Sequence, residues 1–329
     1  MAFSAKQAAR VLPFELQRVE ARGRIVRLGD VGAEILARHD YPDPVAELLG
    51  ELLALVSLIA SALKIDGTVT MQARGDGAVS LLVADYQGPH TLRGYAEYDD
   101  GRVAQISEAS DHPSVARMMG GGFLLITVDY GANTERYQGI VALEGETLAD
   151  CAHEYFRASE QLPTAVRLTA EKHAERWQCA GLIIQNLPPD SGAQIPEPSA
   201  LSHGDKEEDW RRAVILMGSV RNAELLAPDL SQEDLLVRLF HEEGVRAYPA
   251  HTIEFGCRCD EDRFANVIAS FPEEDRQGMV VDGKIVANCQ FCGAEYCYDP
   301  DLISSYNTAG NTAGSAAGNN GGENGKPSH

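Results

Sequence analysis

The feature that most constrains this chain is the placement of its cysteines. Cys257-Arg258-Cys259 is followed, after 29 intervening residues, by Cys289-Gln290-Phe291-Cys292. Two close pairs separated by a loop of this length are the usual form of a tetrahedral thiolate site for zinc. Five of the seven cysteines fall within the 41 residues from Cys257 to Cys297, and the total is odd. A secreted disulfide framework spreads its bridges through the fold, so this clustering points to metal or redox chemistry in a reducing compartment. The candidate ligands are Cys257, Cys259, Cys289 and Cys292, holding one Zn2+ per chain. Cys151 and Cys179 read as buried apolar side chains, Cys297 as a bystander, and His251 as a surface histidine rather than a fifth ligand.

The residues around the cysteines make a small unit. Helices are expected over Asp262–Ser270 and Pro272–Gln277, and Val281-Asp282-Gly283-Lys284 is a strong hairpin signal. The hairpin feeds a strand from Ile285 into the Cys289 knuckle, and Gly293 releases the turn. Fewer than 50 residues with so few apolar side chains form a marginal core. A structural zinc contributes roughly 10–16 kcal/mol of apparent binding energy in peptides of this kind. The unit is therefore expected to be folded with the metal and largely unfolded without it. Zinc ligands are thiolates, the form that oxidants attack, and neighbouring ligands are close enough to pair. Pairing destroys the ligand set, so a redox event becomes an order–disorder event. Spacing alone leaves open whether the site is such a switch or a permanent structural staple.

Charge narrows the remaining readings. From Phe255 to Leu302 there are ten acidic residues and four basic ones, and the whole chain carries a formal charge of −21. Such a surface repels phosphate, which argues against a nucleic-acid-binding ribbon and against anionic lipid. A thioredoxin-type oxidoreductase is disfavoured too. Its C-x-x-C opens a helix after a strand, whereas Cys289–Cys292 follows a hairpin and has a partner pair.

The rest of the chain reads as α+β: an N-terminal mixed sheet-and-helix domain, a helical linker and the small C-terminal zinc-binding module. The expected boundaries are 1–186, 187–254 and 255–302, with a Gly/Asn-rich disordered tail at 303–329. Pro44–Lys64 is apolar nearly all round, but it contains Glu47 and Glu51 and lacks a basic flank. It is expected to be a buried helix rather than a membrane span. Strands are expected at Gly67–Arg74, Ala78–Asp85, Thr91–Glu97, Phe123–Tyr130, Tyr137–Leu143 and Ala180–Gln185, and a helix from Thr147 to about Gln161. Residues 187–209 are rich in Pro, Gly, Ser and acid, a linker signal. Asp209–Val220 and Ser231–His241 read as amphipathic helices too short to hold themselves together, so they must pack on something. The start of the chain has no apolar run of the secretory kind.

Several stretches carry a resemblance. C-R-C, C-Q-F-C-G-A-E-Y and the trailing D-P-D-L, with R-G-R-I-V-R-L-G (Arg22–Gly29), L-R-G-Y-A (Leu92–Ala96) and R-Y-Q-G-I-V (Arg136–Val141), resemble the bacterial 33-kilodalton heat-shock redox chaperones over roughly residues 10–302. The resemblance implies a cytoplasmic, ATP-independent holdase and not an enzyme. Its clients are unfolding proteins, and neither nucleic acid nor membrane is a partner. The resemblance further implies inactivity in the reduced, zinc-bound form and activation by oxidation. The implied disulfides are Cys257 with Cys259 and Cys289 with Cys292, with zinc release, unfolding of module and linker, and a homodimer when oxidised. Cys297 and the tail after Tyr306 depart from that pattern. The competing expectation is a non-chaperone interaction protein with a constitutive structural zinc site.

Overall fold

The computed structural model describes residues 7–63, 66–110, 112–131, 134–173, 175–186 and 206–303. Residues 187–205 of the expected linker and the tail from 304 onward lie outside the described residues, as does the chain start. Two compact units are present, Met1–Cys257 and Arg258–His329.

In chain order the first unit contains β1 (Ala9–Leu16), β2 (Ala21–Arg27), α1 (Gly29–Leu36), α2 (Asp43–Ala60), β3 (Thr68–Gly75), β4 (Val79–Gln87) and β5 (Thr91–Tyr98). Next come α3 (Asp100–Ser107), α4 (Val115–Met119), β6 (Gly122–Asp129), β7 (Tyr137–Ala142), α5 (Leu148–Tyr155), β8 (Thr164–His173) and β9 (Arg176–Asn186). It closes with α6 (Lys206–Gly218), α7 (Asn222–Leu225), α8 (Gln232–Phe240), β10 (Val245–Ala247) and β11 (His251–Phe255).

Ten of these strands run side by side in the order β7-β6-β3-β4-β5-β11-β1-β2-β9-β8, and β10 pairs with β1 as the eleventh. β11 is the splice. It lies antiparallel to β1, with Ala9 opposite Ile253, and parallel to β5, with Phe255 opposite Leu92. Side chains alternate between the faces of a strand. From β1, Ala9 and Val11 enter one apolar cluster, whereas Leu12, Phe14 and Leu16 enter another.

The first cluster is built around α2. Leu49, Leu52, Leu53, Leu55, Val56 and Leu58 are all fully buried, which is why this helix reads as apolar on every side. α5 begins with a capping box in which Thr147 and Asp150 satisfy each other's backbone N–H, at the expected position.

The second cluster is where the two amphipathic helices pack. Ala213 and Met217 from α6, Leu225 from α7, and Leu235, Leu236 and Phe240 from α8 are buried with Leu12, Phe14, Ile25, Leu182 and Ile184 of the sheet. Each large side chain stabilises this docking by roughly 1.5–3 kcal/mol. The Phe240 ring stacks on Phe14 with centroids 6.1 Å apart. Phe14 in turn lies over Gly23, where a Cβ would come 2.1 Å from the ring. Polar groups fix the register of the helices. The Arg27 guanidinium donates to the Leu225 and Glu224 carbonyls at 2.7 and 3.1 Å. The Gln232 amide donates to the Arg10 and Ile25 carbonyls, both at 3.2 Å. Ser231 caps α8 by accepting from the Asp234 N–H at 3.0 Å.

The second unit contains α9 (Glu261–Ala269), α10 (Glu273–Gly278), β12 (Val280–Val281), β13 (Lys284–Asn288) and β14 (Glu295–Tyr298). The hairpin turn has positive φ at both Asp282 (50°) and Gly283 (77°), the primed geometry that an Asp-Gly pair favours. Its apolar core consists of Ala265, Ile268, Ile285, Tyr298 and Ile303.

The expected strands all form. β1, β2, β8, β10, β11 and β14 were not anticipated. In β1, Pro13 interrupts the apolar pattern, and β2 alternates arginine with apolar residues. The remainder are short or depend on pairing with residues distant in sequence.

Candidate metal centre

Three of the four cysteines border regular elements, and Cys292 lies in the turn between β13 and β14. Cys257 follows β11 by two residues. Cys259 immediately precedes Asp260, whose carboxylate caps α9 by accepting from the Arg263 N–H at 2.7 Å. Cys289 directly follows β13 and starts the knuckle: its N–H donates to the Ala294 carbonyl at 2.9 Å, and the Gly293 N–H donates to the Cys289 carbonyl at 2.8 Å. Gly293 has φ +70°, a conformation that glycine adopts without strain and that turns the chain back into β14.

The result is convergence. One Sγ from each of Cys257, Cys259, Cys289 and Cys292 lies within 4.8 Å of the other three. A tetrahedral ion with metal–sulfur bonds of about 2.3 Å sets its sulfurs about 3.8 Å apart, so the four thiols fit such an ion without rearrangement of the chain. Cys259 and Cys292 are 3.3 Å apart at sulfur. Cys289 is buried and the other three are half-buried, which leaves a small oxidant a route to the sulfurs. Among the described residues no other group of three or more His, Cys, Asp or Glu side chains converges in this way.

Two neighbours of the thiols are not evident from their spacing. The Tyr296 hydroxyl donates to the Cys259 Sγ at 3.3 Å, and that bond pushes the phenol well above its ordinary range. Its ring stacks on Phe264 of α9 at 5.1 Å. Arg93 of β5 reaches the Cys257 Sγ with Nη1 at 3.8 Å. Burial works against the Arg93 charge, but Asp85 and Cys257 outweigh it and the guanidinium is held above its usual value. Asp85 accepts from Arg93 at 2.6 and 2.8 Å and from the Thr70 hydroxyl at 2.7 Å. Thr70, Asp85 and Arg93 are register partners on three adjacent strands, a relation no local motif encodes.

The other candidates fall outside the cluster. Cys297 is exposed, its Sγ 3.7 Å from a Glu295 carboxylate oxygen. Cys151 and Cys179 are both 1% exposed. Burial pushes both thiols up, Cys179 to about 12, so neither is thiolate at neutral pH. His251 stacks on His90 at 4.9 Å instead of standing free at the surface. No helix among the described residues is long and apolar enough to cross a membrane.

The model of the family described as Hsp33 protein matches residues 10–299. The 33 kDa chaperonin of Caulobacter vibrioides is 40% identical over 295 residues, covering 88% of this chain and 94% of that protein. The 33 kDa chaperonin of Pseudomonas fluorescens is 39% identical over 294 residues, covering 88% and 91%. The crystal structure of a 33 kDa chaperonin from Thermotoga maritima superposes with a TM-score of 0.74 at 19% identity, over 93% of this chain and all of that one, and shares the fold. From the match across nearly its full length, this chain belongs to the Hsp33 family, whose members are named as chaperonins and not as enzymes.

Proposed function

We propose that this chain is a redox-regulated, ATP-independent holdase of the cytoplasm. It binds unfolding proteins under oxidative stress and keeps them from aggregating. It is silent when Cys257, Cys259, Cys289 and Cys292 together hold one Zn2+, and active once those thiols are oxidised. The observation that carries the reading is the convergence of four sulfurs within 4.8 Å of one another in a segment whose buried apolar core is five residues.

Bound Zn2+ supplies four metal–sulfur bonds that tie the segments of this small unit together. Everything else is done by the chain. Cys257 pairs with Cys259 and Cys289 with Cys292. Each new S–S bond releases two electrons to one peroxide, which takes two protons from solution and leaves as two waters. With its ligands consumed, the segment keeps Ala265, Ile268, Ile285, Tyr298 and Ile303 as a buried core with a few half-buried side chains such as Phe264 and Met279 around it, too few to remain folded. Cys257 lies two residues past β11, at the end of the stretch that carries α6, α7 and α8. Loss of order at the thiols frees that stretch. Lifting the helices uncovers Leu12, Phe14, Ile25, Leu182 and Ile184, an apolar face of the kind that takes up unfolded chains. The same exposed face favours a homodimer in the oxidised state. The net charge of −21 keeps a protein that exposes such a surface in solution.

The test follows zinc release, with a colorimetric chelator, and suppression of citrate synthase aggregation together during mild peroxide treatment. The two should rise in parallel and reverse with a thiol reductant. Zinc that stays bound throughout, with no gain in suppression, marks a constitutive staple and refutes the switch. Mass-spectrometric mapping should find Cys257–Cys259 and Cys289–Cys292, and a Cys259–Cys292 crosslink would overturn that pairing.

A further inference from the structure

We propose that the slot filled by residues 245–255 is itself a client site: when those residues leave, an extended segment of an unfolding protein enters between β1 and β5 as a replacement strand. The proposal rests on the holdase reading and names where and how the client is gripped.

The slot has backbone on both sides. β10 and β11 together cover the length of β1, with Val245–Ala247 opposite Leu16–Phe14 and His251–Ile253 opposite Val11–Ala9. On its other side β11 runs along the start of β5. The Glu254 N–H donates to the His90 carbonyl at 3.0 Å, and the Gly256 N–H donates to the Leu92 carbonyl at 3.2 Å. Removing these residues opens two edges in the middle of a sheet. An inserted strand satisfies donors and acceptors on both flanks, where a strand added at the outer edges β7 or β8 satisfies one.

Few side chains hold the present occupant: Phe255 packs half-buried against the α2 cluster with the Arg38 guanidinium 3.8 Å over its ring, and Val245 packs against the second cluster. In β11 only Ile253 is buried, while Thr252 and Glu254 face solvent. Arg246 and Ala247 of β10 are exposed as well. The slot therefore asks for an extended backbone with an apolar side chain at the Ile253 position, beside Ala9 and Val11, and half-buried apolar positions at Phe255 and Val245. Beyond a small residue at the Gly256 position, where a Cβ would come 2.8 Å from Thr91, it asks for little else in sequence. That is the specificity a holdase needs, because nearly every unfolded chain contains such a segment. The direction is set too: antiparallel to β1 and parallel to β5. Besides its backbone ladder, β11 is tethered on its C-terminal side by Cys257, two residues beyond Phe255.

The experiment uses the full-length oxidised protein, chemically unfolded citrate synthase as client, and two synthetic peptides. One copies residues Val245–Gly256. The other has the same side chains but is N-methylated at Glu254 and Gly256, which removes the two donors to β5. The unmodified peptide should weaken client capture by about tenfold at saturation, and the methylated peptide should leave it unchanged. Amide exchange should show Ala9–Leu16 and Thr91–Leu92 becoming unprotected on oxidation and protected again by client. Equal competition by both peptides, or by neither while oxidised protein still captures client, refutes strand insertion and leaves the holdase reading standing. Oxidised protein that captures no client in the absence of peptide refutes both.

Discussion

Replacing Phe240 with alanine should switch the protein on without touching a cysteine. Phe240 is fully buried on α8 and stacks on Phe14 at 6.1 Å. Removing an aromatic ring from such a position costs about 3–5 kcal/mol, through lost transfer energy and the cavity left behind. The cost falls on the docking of α6–α8 against the sheet, because Phe240 belongs to the cluster that those helices form with β1, β2 and β9. At 1.4 kcal/mol per tenfold, the undocked population rises by about two to three and a half orders of magnitude. The assay is suppression of citrate synthase aggregation by the reduced, metal-loaded variant, with an environment-sensitive apolar dye and zinc content measured on the same samples. Phe240→Ala should bind dye, suppress aggregation and keep its zinc. Val237→Ala, on the same helix but 52% exposed, should behave as wild type. The α2 cluster shares none of these residues, so the main thermal transition should persist. If reduced Phe240→Ala keeps its zinc, shows the dye response of wild type and suppresses nothing, the helices do not mask the client surface and the coupling argument fails.

Further outcomes follow from the same structure. Trp210 packs against the helix-covered cluster and Trp177 against the α2 cluster. Oxidation should therefore shift the emission of a Trp177→Phe protein and leave that of a Trp210→Phe protein nearly unchanged. Burial raises the Glu51 carboxyl to about 7. A carboxyl whose folded pKa exceeds its unfolded value binds more protons when folded, so its contribution grows as pH falls from about 7 towards 4.5 and is lost as pH rises. Glu51→Gln should raise stability by roughly 1–3 kcal/mol at pH 8 and by almost nothing at pH 5, read by denaturant titration. Gly283 has φ +77°, so Gly283→Ala should cost about 1 kcal/mol and weaken zinc retention about fivefold in a chelator competition.

The four-cysteine cluster was legible because its information is local. Two short motifs and an Asp-Gly turn specify it, and the turn, the α9 and α10 helices and the Gly293 release all form where spacing and turn chemistry place them. Helix starts at Thr147 and Ser231 were equally readable from capping residues. What could not be read depends on partners far away in sequence. β11 has a single buried side chain, and its existence follows from β1 and β5 lying on either side, more than 150 residues earlier. The approach of Arg93 to Cys257 needs that same long-range placement. The amphipathic helices announced an apolar stripe, but their partners on β1 and β2 lie in strands masked by Pro13 and by the arginines of β2.

A chain with a single hydrophobic interior must choose between being closed and being intact. Here the backbone of β1, β2 and β9 divides two interiors back to back, one organised around α2 and the other under α6–α8. If α6–α8 lift as proposed, the second interior is given up while the first stands, so the molecule sheds one flank as a rider dismounts, keeps its scaffold beneath, and re-seats that flank on reduction.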